Sequence, residues 1–202
     1  MPQIITIAHQ KGGVGKSTLS FNLAHVFKNG LKVGLCDTDL QGSLSNLQLE
    51  VDGIEILPIP NEISTLKLFD HEIIIIDTPP YLSNKLSDLF AISNFILIPT
   101  KAGFLDYMAI KSTIVLLKES MQKSPTVKAG IVFNMIKQQA TIKAEVEKLL
   151  EDSAIDIMQT FITDRVSYTR SVITGGILKS TDEKAKKEII SLADEILNRI
   201  GI

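Results

Sequence analysis

Ile4-Ile5-Thr6-Ile7-Ala8-His9-Gln10-Lys11-Gly12-Gly13-Val14-Gly15-Lys16-Ser17-Thr18 is the stretch on which the reading of this chain turns. Ile4–Ala8 is an apolar run of strand length, and Leu19, Phe21, Leu23, Ala24, Val26 and Phe27 follow at helical spacing. Strand, glycine-rich turn and helix form the setting in which a backbone cradles phosphate. Glycines let the chain curl so that N–H groups point inward, and the helix start adds unpaired donors and the positive end of its dipole. Lys16 then supplies a point charge for terminal phosphates, and the Ser17 hydroxyl can ligate Mg²⁺.

Two further strand ends carry carboxylates. Lys32–Cys36 reads as a second strand that delivers Asp37-Thr38-Asp39-Leu40-Gln41-Gly42 at its C-terminal end. Two aspartates two residues apart would point the same way if strand geometry ran through both. Glu72–Ile76 contains four consecutive isoleucines, which only a strand covered on both faces accommodates, and it ends on Asp77-Thr78-Pro79-Pro80. Asp77 has the form of a Walker B aspartate, a fixed negative charge for the Mg²⁺ shell. In parallel α/β sheets chemistry gathers at this carboxyl edge.

The loop departs from the common G-x-x-x-x-G-K-[ST] pattern, with Gln10 where the first glycine stands and Lys11 opening it. Lys11-Gly12-Gly13-Val14-Gly15-Lys16-Ser17-Thr18 resembles the deviant Walker A loop of the ParA/MinD ATPases. The resemblance continues in the family's order through the Asp37/Asp39 segment, the isoleucine run with Asp77, and the C-terminal helix. It implies an α/β fold with a mostly parallel central sheet flanked by helices on both faces, a single P-loop ATPase domain over 1–202. It also implies ATP and Mg²⁺ as ligands, bound by Lys11, Gly12, Gly13, Val14, Gly15, Lys16, Ser17 and Thr18. By the same resemblance Asp39 orients the attacking water, Asp37 lies near the metal with Ser17 and Asp77, and Lys11 reaches across a dimer interface to the partner's nucleotide. Leu40 stands where relatives have proline. Asn134, ending an apolar strand over Val127–Asn134, matches an asparagine set against the adenine edge; a strand-end asparagine can equally cap a turn.

The rest of the chain reads as follows. Ser43–Leu49 suits a short helix, Ile54–Leu57 a strand, and Asn61–Phe69 a short helix capped by Asn61. Phe95–Thr100 is a buried strand. Phe104–Met121 is a long helix whose apolar face would include Leu105, Met108, Ala109, Ile114, Leu116 and Leu117, with Phe104 and Met108 as core or dimer-contact residues. Ala140–Asp152 is a helix, Ile155–Ile162 a late strand, and Thr163–Ser167 a loop near the base or the dimer seam. Ser180-Thr181-Asp182-Glu183 signals the start of a final helix, with Ile189, Ala193, Ile196, Leu197 and Ile200 in one stripe. That stripe is aliphatic, without an aromatic anchor, so it is expected to pack on the sheet rather than on a membrane.

Composition narrows the function. At 202 residues and 45% hydrophobic, the chain can bury a sizeable core. The longest apolar runs are too short to cross a membrane, and the chain enters a strand at once, which leaves no expected signal peptide or N-terminal helical DNA-binding domain. The single cysteine, Cys36, cannot supply the ligand set of an iron–sulfur cluster, which argues against the redox relatives that share the loop. His9, His25 and His71 show no metal-ligand spacing. Residues 1–100 carry a net −4 and residues 101–202 a net +2, so any basic face belongs to the second half. Candidate DNA contacts are Lys111, Lys118, Lys137, Lys143, Arg165, Arg170, Lys186 and Lys187.

The length and the missing N-terminal domain make the chain similar to small ParF-like plasmid partition ATPases. That resemblance implies a cytoplasmic protein, nucleoid-associated when bound to ATP, that forms a homodimer with ATP and binds nonspecific DNA. A centromere-binding, ParB-like partner would stimulate its slow hydrolysis. The alternatives are a MinD-like positioning ATPase on a membrane or polar scaffold, and a metabolic P-loop ligase such as dethiobiotin synthetase.

Overall fold

The computed structural model describes residues 1–39, 53–81, 85–137 and 141–202. Seven strands make one sheet: β1 Gln3–Ile7, β2 Val33–Asp37, β3 Ile54–Leu57, β4 Ile73–Asp77, β5 Phe95–Thr100, β6 Lys128–Phe133 and β7 Asp156–Ile157. Their order is β3-β2-β4-β1-β5-β6-β7, and every pairing is parallel. The helices are α1 Lys16–Phe27, α2 Leu86–Ile92, α3 Phe104–Lys123, α4 Thr141–Leu150, α5 Val166–Thr174 and α6 Glu183–Ile200.

The isoleucine run shows why the sheet is covered twice. Successive strand side chains point to opposite faces. Ile74 and Ile76 therefore join one core with Phe90, Ile110, Ile114 and Leu117, under α2 and α3. Ile73 and Ile75 join the other with Leu19, Leu23, Ile189 and Ile196, under α1 and α6. All four isoleucines are fully buried. Cys36 lies in the first core, and burial pushes its thiol up to about 12, so it is an inert packing residue.

Several local expectations shift. The long helix α3 faces inward with Ile110, Ile114 and Leu117, whereas Leu105 and Met108 point outward with Phe104. The stretch after Asn61 is a 3-10 helix over Ile63–Leu68 that begins after Glu62 and has no side-chain cap. The late strand shrinks to Asp156–Ile157, with a single further bridge between Ile136 and Thr163. Helix α5 begins at Val166, inside the loop expected over Thr163–Ser167, and α2 carries no sequence signal strong enough to anticipate it. The last helix is capped by Asp182, which accepts from the Ala185 N–H, two residues beyond the start of the expected box. The expected helix over Ser43–Leu49, and Leu40, lie outside the described residues.

Strand order places the site. β1 sits between β4 and β5; the chain leaves β1 for α1 on one face and leaves β5 for α3 on the other. At such a reversal the connections diverge and open a crevice beyond the carboxyl ends of the strands.

Candidate functional site

The loop after β1 fills that crevice. Gly13 and Gly15 adopt left-handed φ values of 69° and 89°, which side-chain-bearing residues rarely adopt. Gly15 is also the N-cap of α1, and no side chain caps that end. The orphan donors of the first turn are thus left facing the crevice, an arrangement suited to an anion.

Asn134 fixes the loop from the other side of the crevice. Its Nδ2 donates to the Val14 carbonyl at 2.7 Å, and its Oδ1 accepts from the Met135 N–H at 3.0 Å. Both ends of the amide are committed, and the residue is 3% exposed. It therefore clamps the loop. A Cβ on Gly15 would collide with this amide. Met135 beside it holds a φ of 56°, one of two positive values among the described non-glycine residues.

The carboxylates gather under Lys16 and Ser17. Asp37 and Asp77 end β2 and β4 at the same register level. Ser20 Oγ donates to Asp77 Oδ1 at 3.1 Å, and the Ser17 hydroxyl also bonds this carboxylate. Asp77 Oδ2 is buried with no hydrogen-bond partner. Desolvation, with Asp37 adding to it, pushes the Asp77 carboxyl up to about 7. An orphaned buried carboxylate oxygen next to a second aspartate and a hydroxyl is a donor set that fits a hard divalent cation. Among the described residues no cluster of three or more His, Cys, Asp or Glu side chains could hold a metal alone. Mg²⁺ would be held by Ser17, Asp37 and Asp77 only together with phosphate oxygens and water.

Asp39 does not continue the strand. β2 stops at Asp37, Thr38 bonds the Asp77 carbonyl through both N–H and Oγ1, and the Asp39 N–H folds back to Asp37 Oδ1 at 3.0 Å. An Asx-type turn therefore replaces the extended backbone between the two aspartates. Asp39 still acts on the site. Burial lowers the Lys16 amine from its ordinary value, and the charges of Asp77 and Asp39 oppose that lowering.

Lys16 and Lys11 are both engaged within the chain. Lys16 Nζ donates to the Lys11 carbonyl at 3.3 Å. Lys11 Nζ pairs with Asp106 Oδ1 of α3 at 2.5 Å. The Lys11 N–H donates to His9 Nδ1 at 2.8 Å. His9 is 1% exposed, and its Nε2 has no partner. Since Nδ1 accepts, the proton sits on Nε2. Sequence reasoning missed both His9 and Asp106. His9 carries no motif, and Asp106 meets Lys11 only through a contact 95 positions away in the chain.

The expected DNA contacts divide into two sets. Arg165 is tied to Asp182 and Glu188 at 3.5 and 3.4 Å, and Lys186 to Glu183 at 2.8 Å. Lys111 lies 4.6 Å from the centre of the Tyr107 ring. Lys118, Lys137, Arg170 and Lys187 are exposed, and the Lys143 side chain is outside the described set. No described helix is long and apolar enough to cross a membrane.

Comparison with known proteins bears on the family and the fold. A relative, maintenance of carboxysome distribution protein A from Halothiobacillus neapolitanus, is 27% identical over 96% of this chain and 95% of its own. A Borrelia burgdorferi B31 protein assigned to plasmid partition, bound to AMPPNP, superposes with a TM-score of 0.75 at 20% identity, covering 98% of this chain and 100% of its own. An ATP complex of McdA from Cyanothece gives 0.76 at 15% identity, covering 98% and 96%. At such identities the two structures establish the fold alone. The profile of the CobQ/CobB/MinD/ParA nucleotide-binding domain matches residues 5–178, so the chain belongs to that family and is a nucleotide-binding P-loop protein of the ParA/MinD ATPase type.

Proposed function

We propose that this protein is a ParA-type ATPase that positions a large cargo over DNA, and that plasmid or chromosome partition is its work. The reading is carried by one observation: a phosphate-binding loop with a second lysine, set over a Ser17–Asp77–Asp37 cluster whose Asp77 Oδ2 lacks a partner. The relatives that cover nearly the whole chain support a positioning role, and among them the carboxysome distribution protein offers an alternative cargo.

ATP carries about four negative charges, and phosphoryl transfer is catalysed mainly by placing compensating charge. Mg²⁺ supplies Lewis-acid charge when bound at Ser17, Asp37 and Asp77. Lys16 adds one positive charge, leaving about one negative charge of the triphosphate unmet before the site's own aspartates are counted. Lys11 from a second copy meets it, so ATP stabilises a homodimer and hydrolysis weakens it. Asp39 holds the lytic water. The backbone N–H groups of residues 12–18 orient the phosphates, and the Asn134 clamp keeps the loop in shape. A ParB-like partner accelerates the slow turnover.

Dimerisation also switches DNA binding. The logarithm of affinity falls with the logarithm of salt at a slope of about −0.9 per phosphate neutralised. Pairing two weakly basic faces roughly doubles that number, so the dimer binds DNA where the monomer does not. Lys118, Lys137, Arg170 and Lys187 are the contacts. Such a protein is cytoplasmic and joins the nucleoid in its ATP form. Co-sedimentation with plasmid DNA and with anionic liposomes, each with and without ATP, tests the reading. ATP-dependent recovery with DNA alone supports it; recovery with liposomes alone would favour a MinD-like role.

A further inference from the structure

We infer that Asp106 is a positioning residue for Lys11, a latch that keeps the loop's leading lysine inside its own subunit until a second copy displaces it. This rests on the ATP-dependent dimer proposed above.

Lys11 is held at three points in the single chain. Its amine pairs with Asp106, its N–H donates to His9, and its carbonyl accepts from Lys16. The amine thus lies against α3, across the crevice from its own loop, and cannot at the same time serve a partner's nucleotide. Asp106 is built for the contact. It is the third residue of α3, and its side chain is 12% exposed against 39% for that of Lys11. A carboxylate so placed is poorly hydrated and gains from a close cation.

Gly103 gives the carboxylate its room. It is the N-cap of α3, and a Cβ there would stand 2.6 Å from Asp106 Oδ2. Its φ of −109° is open to any residue, so the glycine serves the close approach rather than the backbone. Around the latch, Phe104, Leu105 and Met108 are exposed on the same end of α3. Large apolar side chains beside a charged pair on an open surface are what a second copy covering the crevice would bury.

Each dimer opens two latches. A partly exposed pair is worth about fivefold in an equilibrium, so two together raise the dimer dissociation constant roughly 25-fold. The latch therefore sets the protein concentration at which ATP assembles the dimer, and keeps the nucleotide-free chain monomeric.

Two variants test this. Asp106→Asn removes the charge while keeping the shape. Gly103→Ala keeps both charges and crowds the carboxylate. The first readout is acylation of Lys11 in the nucleotide-free protein by a lysine-reactive anhydride, followed by peptide mass spectrometry and normalised to the exposed Lys118. An amine held against the Asp106 carboxylate is shielded from the reagent and reacts slowly, so both variants raise the Lys11 rate about fivefold. Unchanged rates overturn the latch, whatever the dimer does. The second readout is sedimentation velocity with Mg-AMPPNP. Both variants dimerise at protein concentrations roughly tenfold or more below wild type; weaker assembly than wild type would show that Asp106 supports the dimer, and would overturn the inference. If wild type and variants all stay monomeric, the dimer reading falls and takes the latch's function with it, while the labelling still reports the contact.

Discussion

His9 should make the stability of this protein steeply dependent on pH. The ring is buried under the loop, and its pKa drops from 6.5 to about 4. Burial is the largest cause. The Lys16 charge adds to it, Asp106 opposes it, and Lys11 adds a smaller lowering. A folded-state value below the unfolded one means that the unfolded chain binds the proton first. Stability from the neutral ring is therefore complete above pH 6.5 and lost as pH falls toward 4. At 1.36 kcal/mol per pH unit, the full loss is about 3 kcal/mol, with about 2 kcal/mol gone by pH 5. The perturbation that isolates it is His9→Asn. Asparagine can still accept from the N–H two residues on, as Nδ1 does from Lys11, but it does not titrate. The smaller side chain costs stability at every pH alike. Urea unfolding of both proteins without nucleotide, at steps from pH 7.5 to 4.5, gives the two curves. The gap between them should close by about 2 kcal/mol on going from pH 7.5 to 5. Parallel curves would refute the reasoning, because a His9 already hydrated or protonated at neutral pH could not produce them differently.

Three other outcomes follow from the same contacts. Gly15→Ala forces a Cβ into the Asn134 amide at a φ of 89°, so ATP affinity should fall more than tenfold by isothermal calorimetry, with about 1–3 kcal/mol of stability lost. Asn134→Ala frees the Val14 carbonyl and leaves its own buried space empty; nucleotide binding should weaken for ATP, ADP and GTP alike, since a clamp acts on phosphates, whereas a base-reading asparagine would lose only its preference for adenine. Arg165→Gln should lower thermal stability through the lost Asp182 and Glu188 pairs and leave the salt slope of DNA binding unchanged, whereas Lys187→Gln should reduce that slope by about 1 or 2 per dimer with the melting temperature held.

What could be read from the chain was what local pattern decides. The glycine loop, the isoleucine strand and Asp77 are each fixed by a few adjacent residues, and each stands where it was expected. Asp39 is expected by resemblance, with a shared direction only if the strand runs through it, and the turn that replaces the strand appears only when the Asp37 side chain bonds the Asp39 N–H. Two apolar residues near the start of α3, Leu105 and Met108, satisfied helical spacing, yet the helix presents Ile110 and Leu117 to the sheet instead. Spacing defines a stripe, but which of two neighbouring stripes turns inward depends on how β5 delivers the helix. Arg165 looked like a surface cation, and only the packing of α5 against α6 brings Asp182 and Glu188 to it. The Lys11–Asp106 pair belongs to the same class of contact, invisible until the sheet order brings the ends of β1 and β5 together.

The central claim is that a second copy supplies Lys11 to complete the charge around a bound triphosphate. Sedimentation velocity of wild type and Lys11→Ala with Mg-AMPPNP tests it most directly, with nucleotide occupancy measured in the same samples. The account predicts that both proteins bind the analogue through Lys16 and the loop, and that only wild type doubles in mass. A Lys11→Ala protein that binds the analogue and dimerises as wild type does would contradict it.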